Sequence, residues 1–462
     1  MTTDAPETTE TRFTISNNPS YLHQAYFSYI LEYKNSTKTY GFLDLEILKK
    51  SLNILVRKYY KPVAGWFQAR NNSIDVVYYS DKFNDPPVST QTLNMDYETL
   101  SRHVHDSNID LLVSTAPSAA ITFEDPNPDI PMILVKATYL ESNEAVVLGV
   151  TYHHSLMDGT AFWTFMANWS ALCKQLHKHG DIAEFDIPHL PTFEFPDISH
   201  FHNPSKTFEH PEYILVDPDQ FLERIHPGPK KIVETKLEIS VEQQQALRQQ
   251  ARDIGVSFTE ILCAILWKGV NSLRLQLNPE IASGLSLYTC VVNSRTRAGV
   301  SNNLCASPVT NAPCEQTVSE IAALEVCDIA QLVHGAIGKC TSEYLSSSFR
   351  YLHQQFKQEQ DDKNSGRVGK KVMCVFSQTA HVKCVVASSR TFPIYSTDYG
   401  FGTPEYVCPP YLPYDGYMRI WPTPTYDART SNAPLLVYVS QPEHVDLSQS
   451  PLLSQFIKRS IT

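Results

Sequence analysis

The sequence lacks the segments that direct a chain into a membrane or the secretory pathway. Its first fourteen residues are polar and carry Asp4, Glu7 and Glu10, whereas a secretory signal needs a basic start and an apolar run. No uncharged apolar stretch reaches the ~18 residues of a membrane span, and the best candidate, 261–267, is far too short. These absences predict a soluble cytoplasmic protein without a membrane partner.

An excess of basic residues is also lacking. The chain has 38 Lys and Arg against 49 Asp and Glu, which gives a formal net charge of −11, and no basic stripe runs along it. A protein that follows a phosphate backbone needs such a stripe. We therefore expect no nucleic-acid partner.

Several common cofactor and metal motifs are absent. The ten cysteines show no C-x-x-C spacing, so zinc and thiol redox sites are not predicted. The chain has no G-x-S-x-G, P-loop or G-x-G-x-x-G string, which argues against serine hydrolases, nucleotide triphosphatases and dinucleotide enzymes. The H-x-H pairs are His103/His105, His177/His179 and His200/His202. On strands such pairs would share a face, but no third ligand accompanies them, and we predict no metal.

The length and composition favour two folded domains. A chain of 462 residues exceeds the roughly 250–300 residues at which single cores stop growing, and 42% hydrophobic residues is typical of globular proteins. The stretch 188–229 is dense in proline and has no sustained periodicity, as expected of a linker. We predict an N-terminal domain over 1–187, a crossover linker over 188–229 and a C-terminal domain over 230–462.

Hydrophobic periodicity predicts the main elements of both domains. Steps of three and four residues predict helices over 43–60, from Gly159 to about His177, from Val241, and over 257–273, where the segment beginning at Ser257 resembles a capping box. Short apolar runs predict strands over 133–139, 145–152, 233–239, 285–292, 372–376, 383–387 and 435–439.

The strongest candidate for chemistry is the string 154–159, His-Ser-Leu-Met-Asp-Gly, between a predicted strand and a predicted helix. An imidazole with a pKa of about 6.5 can take a proton from an alcohol that attacks a carbonyl and return it to a leaving thiolate. Asp158 either orients the ring or locks the turn by pairing with an arginine, and we favour the second because Gly159 permits a tight turn. The competing interpretation is a histidine satisfied in the core. Since successive side chains on a strand face opposite sides, only one of His153 and His154 can face the substrates. The spacing to Asp158-Gly159 selects His154.

Six segments, in order along the chain, resemble signatures of the BAHD acyltransferases. The string 154–159 is similar to the family's H-x-x-x-D-G motif, and Asp398-Tyr399-Gly400-Phe401-Gly402 is similar to its D-F-G-W-G motif. The other matches are 59–65, 257–267, 293–297 and 414–416. The resemblance therefore covers most of the chain and is closest to the fungal, trichothecene-acetyltransferase-like branch.

The resemblance implies an α/β fold of two chloramphenicol-acetyltransferase-like domains, each a mixed sheet flanked by helices, with a channel between them. It implies that His154 is the general base and that Asp158 pairs with Arg295. The residues with a structural role are then Asp158, Gly159, Arg295, Asp398, Gly400 and Gly402. The resemblance implies acyl-CoA as a co-substrate and no permanently bound cofactor. It also implies a monomer, as is usual in the family.

One segment departs from the family pattern. Where the family has T-S-W, this chain has Ala387-Ser388-Ser389, so the threonine expected to steady the oxyanion is missing. Ser388 or Ser389 would then serve on the acyl-CoA side, or a backbone N–H would replace them.

The predicted function is O-acylation of a small secondary metabolite, with acetyl-CoA as donor. Three alternatives stay open: N-acylation of an amine or polyamine, which suits the acidic charge; a condensation-type enzyme that uses a carrier-protein thioester, whose H-H-x-x-x-D-G string the chain also matches; and a scaffold that has lost the reaction.

Overall fold

The computed structural model describes residues 8–15, 22, 25–70, 73–119, 121, 129–180, 184–195, 201, 206–220, 231–410, 412 and 414–457. The chain forms two compact units. The first comprises Met1–His200, Val300–Pro308 and Phe392–Tyr411, and the second comprises Phe201–Gly299, Val309–Thr391 and Leu412–Thr462. The chain therefore returns twice to the first unit after leaving it.

Helices and strands are mixed along the described residues. The helices are α1 (Leu45–Lys58), α2 (Tyr97–His105), α3 (Ile109–Leu112), α4 (Gly159–His179), α5 (Val241–Asp253), α6 (Phe258–Leu277), α7 (Arg295–Ala298), α8 (Val318–Ala323), α9 (Val326–Gly338) and α10 (Ser342–Asn364). The strands are β1 (Glu10–Thr14), β2 (Tyr26–Lys34), β3 (Trp66–Arg70), β4 (Ser73–Tyr79), β5 (Val88–Leu93), β6 (Ile133–Leu140), β7 (Ala145–His153), β8 (Tyr213–Val216), β9 (Ile232–Ile239), β10 (Leu285–Asn293), β11 (Val309–Thr317), β12 (Lys371–Cys374), β13 (Val382–Ser388), β14 (Tyr406–Cys408), β15 (Tyr417–Pro422) and β16 (Leu435–Pro442). Of the helices in this part of the chain, none is long and apolar enough to cross a membrane.

The first unit is built around a five-stranded mixed sheet in the order β14-β2-β7-β6-β5. Only β5 and β6 run parallel; the other neighbours are antiparallel. All nine residues of the central strand β7 are buried, which explains its continuous apolar sequence. A second, antiparallel sheet has the order β1-β4-β3. The candidate histidine lies directly after β7, at the end of the most buried strand of the unit.

Two helices of this unit begin and end where the sequence predicts. The Asp44 side chain accepts hydrogen bonds from the N–H groups of Glu46 and Ile47 and so caps α1. Helix α4 ends at Gly180, whose φ of +67° is accessible to glycine without strain. The predicted helices over 43–60 and from Gly159 to about His177 are confirmed, as is the pair of strands β6 and β7.

The second unit is built around a six-stranded mixed sheet in the order β11-β10-β13-β15-β16-β9. Strand β13 is parallel to both of its neighbours, and the remaining pairs are antiparallel. Helix α6 is buried on several sides, and Ser257 and Glu260 form the capping box at its start, as predicted. Both units are thus mixed α/β, and the predicted fold class is confirmed.

Three local predictions differ from the structure. The strand predicted over 372–376 ends at Cys374, the last residue of β12 that pairs with β8. The next residues, 375–377, form a 3-10 helix. His103 and His105 lie on α2, and His177 and His179 on the last turn of α4, so the argument from strand alternation does not apply to them. The third pair, His200/His202, lies outside the described residues.

The two units divide the chain differently from the predicted domains. The segments 300–308 and 392–411, the second of which carries the D-Y-G-F-G string, belong to the first unit, whereas both lie within the predicted C-terminal domain. Part of 188–229 lies outside the described residues, so the predicted linker stays a prediction.

Candidate active site

The ring of His154 is partly exposed and is held from three sides within the first unit. Its backbone N–H donates to the Ala25 carbonyl at 2.8 Å, which continues the pairing of β7 with the chain before β2. The ring lies edge-on to Phe27, with 4.5 Å between centroids, and Nδ1 is 3.4 Å from Oγ of Ser307. The imidazole is therefore anchored to a rigid strand while part of it stays open.

The surroundings of His154 favour its neutral form. Burial lowers the pKa of the imidazole to about 4, and the neighbouring His153 adds to the shift. At pH 7 the ring is uncharged, and one of its two nitrogens carries a lone pair instead of a proton. A neutral imidazole is the protonation state that a general base requires.

The neighbouring His153 has a different environment. It is 0% exposed, its Nε2–H donates to the Ala119 carbonyl at 2.8 Å, and its ring packs against Phe67 at 4.7 Å between centroids. Burial lowers its pKa to about 4 as well. His153 is thus a buried core residue held by one ring nitrogen, which is close to the role that the competing interpretation gave to His154.

Asp158 is the N-cap of α4. Its carboxylate accepts the N–H of Ala161 at 2.9 Å, and its own backbone N–H donates to the Ala306 carbonyl at 3.1 Å. A carboxylate at a helix N-terminus also interacts favourably with the helix dipole. These bonds fix the turn that carries His154 and bring the returning segment 300–308 beside it.

Gly159 leaves space for a neighbouring aromatic ring and does not have the positive φ that favours glycine. A Cβ at this position would lie 2.6 Å from Cε2 of Phe392. The turn expected here is present as the start of α4, but the backbone of Gly159 does not have a positive φ. Phe392 opens the second segment that returns to the first unit, 392–411.

Ser307 and Phe392 are the site residues that the sequence analysis missed. Both touch the 154–159 turn from segments about 150 and 230 residues further along the chain. Neither lies in a recognisable motif, so only the fold brings them to the histidine.

The D-Y-G-F-G loop is held by its aspartate. One oxygen of Asp398 accepts the N–H groups of Gly400 and Gly402 at 2.8 and 2.9 Å, and the other pairs with Lys174 of α4. Partial burial opposes ionisation, but Lys174 and the two N–H groups still hold the pKa of Asp398 below its ordinary value. Both glycines have φ near +100°, which explains the residue type.

The aromatic residues of this loop pack onto the first unit. Tyr399 is fully buried between Tyr33 and Trp169, with ring centroids at 5.7 and 5.1 Å. Phe401 contacts Phe42 and His177. The loop thus fastens α4 to β2, the two elements next to the strand that carries His154.

Arg295 begins α7 in the second unit and is 1% exposed. Its backbone N–H and its guanidinium both donate to Oδ1 of Asn293, at 3.1 and 3.3 Å. The neighbouring Arg297 donates to the carbonyls of Ile337 and Cys340. The R-x-R segment is therefore a short helix directly after β10, and the pairing of Arg295 with Asp158 stays a prediction.

The turn at Asp415-Gly416, in the matched segment 414–416, has a partner that the sequence analysis did not identify. Asp415 forms a two-pronged ion pair with Arg274 of α6, whose side chain also contacts Gln441. Gly416 has φ +80°, and a Cβ there would lie 2.3 Å from the Lys383 carbonyl oxygen. The turn therefore joins α6 to the sheet of the second unit.

Ser388 is the last residue of β13 and is exposed, and Ser389 follows it. The backbone N–H of Ser389 donates to the Ile420 carbonyl at 2.9 Å, so this group is occupied by strand pairing. Ser388 lines a cavity of about 200 Å³ inside the second unit. In the described part of the chain, no three His, Cys, Asp or Glu side chains converge as metal ligands would.

Known proteins share both the sequence pattern and the fold. The Transferase family model matches residues 1–433. Anthranilate N-benzoyltransferase protein 1 of Dianthus caryophyllus is 23% identical over 63% of this chain and 62% of its own. Shikimate O-hydroxycinnamoyltransferase of Nicotiana tabacum is 23% identical over 68% of each chain. The chain spans 61–63% of the length of four such relatives, the Dianthus protein included.

Among solved structures, the F. graminearum protein TRI101 in complex with coenzyme A and T-2 mycotoxin has a TM-score of 0.70. It is 16% identical over 94% of this chain and 95% of its own, a level at which the likeness speaks for the fold alone. The match to the family model covers most of the sequence and includes the H-x-x-x-D-G turn and the D-Y-G-F-G loop. The chain belongs to the Transferase family, the BAHD acyltransferases.

Proposed function

We propose that this protein transfers an acyl group, with acetyl as the reference donor, from coenzyme A to a hydroxyl group of a small secondary metabolite. The observation that carries the proposal is the partly exposed, neutral imidazole of His154, fixed at the end of β7 beside Ser307. A chain that kept the fold only as a scaffold would have no need to keep this ring open.

The proposed reaction proceeds in one transfer without an acyl-enzyme. Nδ1–H of His154 donates to Oγ of Ser307, which leaves the lone pair on Nε2; we assign this tautomer because Nδ1 is the nitrogen that faces the serine. Nε2 takes the acceptor's proton as its oxygen bonds to the thioester carbon. The carbon–sulfur bond then breaks, and the imidazolium returns the proton to the CoA thiolate.

The oxyanion formed during the attack needs a hydrogen-bond donor. Since the N–H of Ser389 already pairs with Ile420, we assign this role to the hydroxyl of Ser388 or Ser389 in place of the family's threonine. In this account Asp158 acts on the chemistry only by capping α4 and fixing the turn. Its pairing with Arg295, and a channel that admits both substrates, are part of the same proposal.

The nature of the donor is supported by relatives and not by a bound molecule. TRI101 of F. graminearum was solved with coenzyme A and separately with ethyl coenzyme A, and its other complexes hold T-2 mycotoxin or deoxynivalenol. For this chain we propose the same division into a CoA thioester and a small organic acceptor, with no permanently bound cofactor.

N-acylation is the second candidate. The relatives include an anthranilate N-benzoyltransferase and putrescine hydroxycinnamoyltransferases, whose names describe amine acceptors. A net charge of −11 would also attract a cationic polyamine. A hydroxyl and an amine acceptor would each need His154 to remove a proton, so the imidazole does not distinguish them.

The test is a thiol-release assay with the purified protein. Acetyl-CoA and longer acyl-CoAs are offered with matched pools of alcohols and of amines, for the parent, His154→Ala and the control His444→Ala, an exposed histidine. We expect release by the parent and the control with alcohols, and almost none by His154→Ala. If His154→Ala releases thiol as fast as the parent, His154 is not the base. Turnover only of acyl-pantetheinyl carrier protein would establish the condensation-type alternative.

A further inference from the structure

A cavity of about 200 Å³ lies inside the second unit, between the six-stranded sheet and helices α6 and α9. Its inner wall contains Cys263 of α6, Tyr288 and Cys290 of β10, and Val386 of β13, all of them 8% exposed or less. The more exposed end carries the hydroxyl of Ser388. The cavity thus has a polar rim and an apolar interior.

The interior carries no free charge at neutral pH. Burial raises the pKa of the Cys290 thiol to about 11 and that of Cys263 further, and the hydroxyl of the neighbouring Tyr288 is buried without a hydrogen-bond partner among the described residues. The acidic group in the lining, Glu260, is engaged by the N–H of Ser257 and by Nδ1 of His334. A ligand for this space is therefore uncharged and apolar where it enters.

The volume sets the size of that ligand. An apolar cavity of about 150 Å³ in another protein is large enough to bind benzene. A space of about 200 Å³ therefore accepts a hydrocarbon group of about six carbons, whereas an acetyl group would leave most of it empty. A chain of this length would make dispersion contacts with the apolar wall that an acetyl group is too short to make.

We propose that this cavity receives the hydrocarbon end of the acyl donor, with Ser388 beside the thioester, and that it extends the donor range from acetyl to acyl groups of about six carbons. The inference rests on the proposed function, because only a CoA thioester places a chain of this kind next to Ser388. It adds Cys290 and Cys263 as determinants of donor length.

The first experiment compares hexanoyl-CoA with acetyl-CoA by the ratio of their kcat/KM values. Cys290→Phe fills the cavity, and Cys327→Phe places the same ring on the partly exposed outer part of α9 as a control. We expect the ratio to fall at least about tenfold in Cys290→Phe and to stay within about twofold of the parent in Cys327→Phe. An unchanged ratio in Cys290→Phe, with acetyl-CoA still turned over, would overturn the cavity assignment and leave the proposed function standing.

The second experiment needs neither turnover nor a filled cavity. His154→Ala is treated with N-ethylmaleimide at mildly alkaline pH, and the modification of Cys290 relative to Cys327 is followed by peptide mass spectrometry. We expect hexanoyl-CoA to slow the labelling of Cys290 several-fold, and acetyl-CoA and free CoA to have little effect. Equal protection by all three, or none by hexanoyl-CoA, would contradict the proposal even if Cys290→Phe fails to fold.

Discussion

His153 and His154 are neighbours in sequence, yet His153 is buried in the core and His154 is partly exposed. His153 donates from Nε2 to a backbone carbonyl and has no exposed surface, whereas the ring of His154 is partly open and faces a serine hydroxyl. Both have pKa values lowered to about 4 by burial, so a shifted pKa alone would not separate them. What separates them is strand geometry, because successive side chains on a strand face opposite sides.

The comparison shows how a doubled residue can divide two tasks. His153 joins β7 to the loop that contains Ala119 and fills space against Phe67. That packing holds the strand end from which His154 projects. We expect substitutions on the two sides to separate activity from stability.

The largest effect is expected for His154→Ala. Loss of the proposed general base should lower kcat/KM about 10²- to 10⁴-fold, while the free energy of unfolding changes little because the ring is only partly buried. Steady-state kinetics and thermal unfolding on the same preparation measure both. If activity falls only in proportion to a loss of folded protein, His154 is a structural core residue like His153.

His153→Ala should have the opposite signature. Removal of a fully buried ring and its hydrogen bond to Ala119 should lower the free energy of unfolding by about 2–4 kcal/mol. We expect kcat/KM per folded molecule to change much less than in His154→Ala. Denaturant unfolding, with kcat/KM normalised to the folded fraction, checks this, and normal stability would contradict the assignment of His153 to the core.

Gly159→Ala tests the turn that follows both histidines. The new methyl group would meet the Phe392 ring at 2.6 Å and should cost about 1–3 kcal/mol through overpacking. Combining it with Phe392→Leu should recover part of this loss, because the smaller side chain makes room. If the double variant is less stable than the sum of the two single changes, the space argument is wrong.

Asp398→Asn should have the smallest effect. The amide oxygen can still accept the N–H groups of Gly400 and Gly402, so only the ion pair with the half-exposed Lys174 is lost, worth about 0.5–1 kcal/mol. Asp398→Ala removes both kinds of bond and should cost more. Equal stability of the two variants in urea unfolding would show that the loop does not depend on its aspartate.

Local patterns predicted the elements that position the site, but not the contacts that complete it. Regular apolar spacing identified α1, α4 and α6, and continuous apolar runs identified β6 and β7, since these elements bury residues with the period of their own backbone. The strands β1 to β5 were not predicted; β5 was missed because a half-exposed edge strand mixes polar and apolar residues. The contacts of Ser307, Phe392 and Lys174 were missed because each partner lies more than 150 residues away along the chain.

The reasons for residue types were also harder to predict than the types themselves. Gly159 lies where the motif requires a glycine, but its cause is the ring of Phe392. Gly400 and Gly402, in contrast, have the positive φ that a glycine in a loop suggests. A steric cause from a distant segment leaves no trace in the surrounding sequence.

The most direct test of the account is the pH dependence of kcat/KM for acetyl transfer. A base with a pKa of about 4 is almost fully deprotonated above pH 5.5, so we predict a rate that stays flat from about pH 8 down to about pH 5.5 and falls only below that. A fall with a midpoint near the ordinary histidine pKa of about 6.5 would contradict it. That result would mean that the ring doing the chemistry is not the partly buried imidazole of His154.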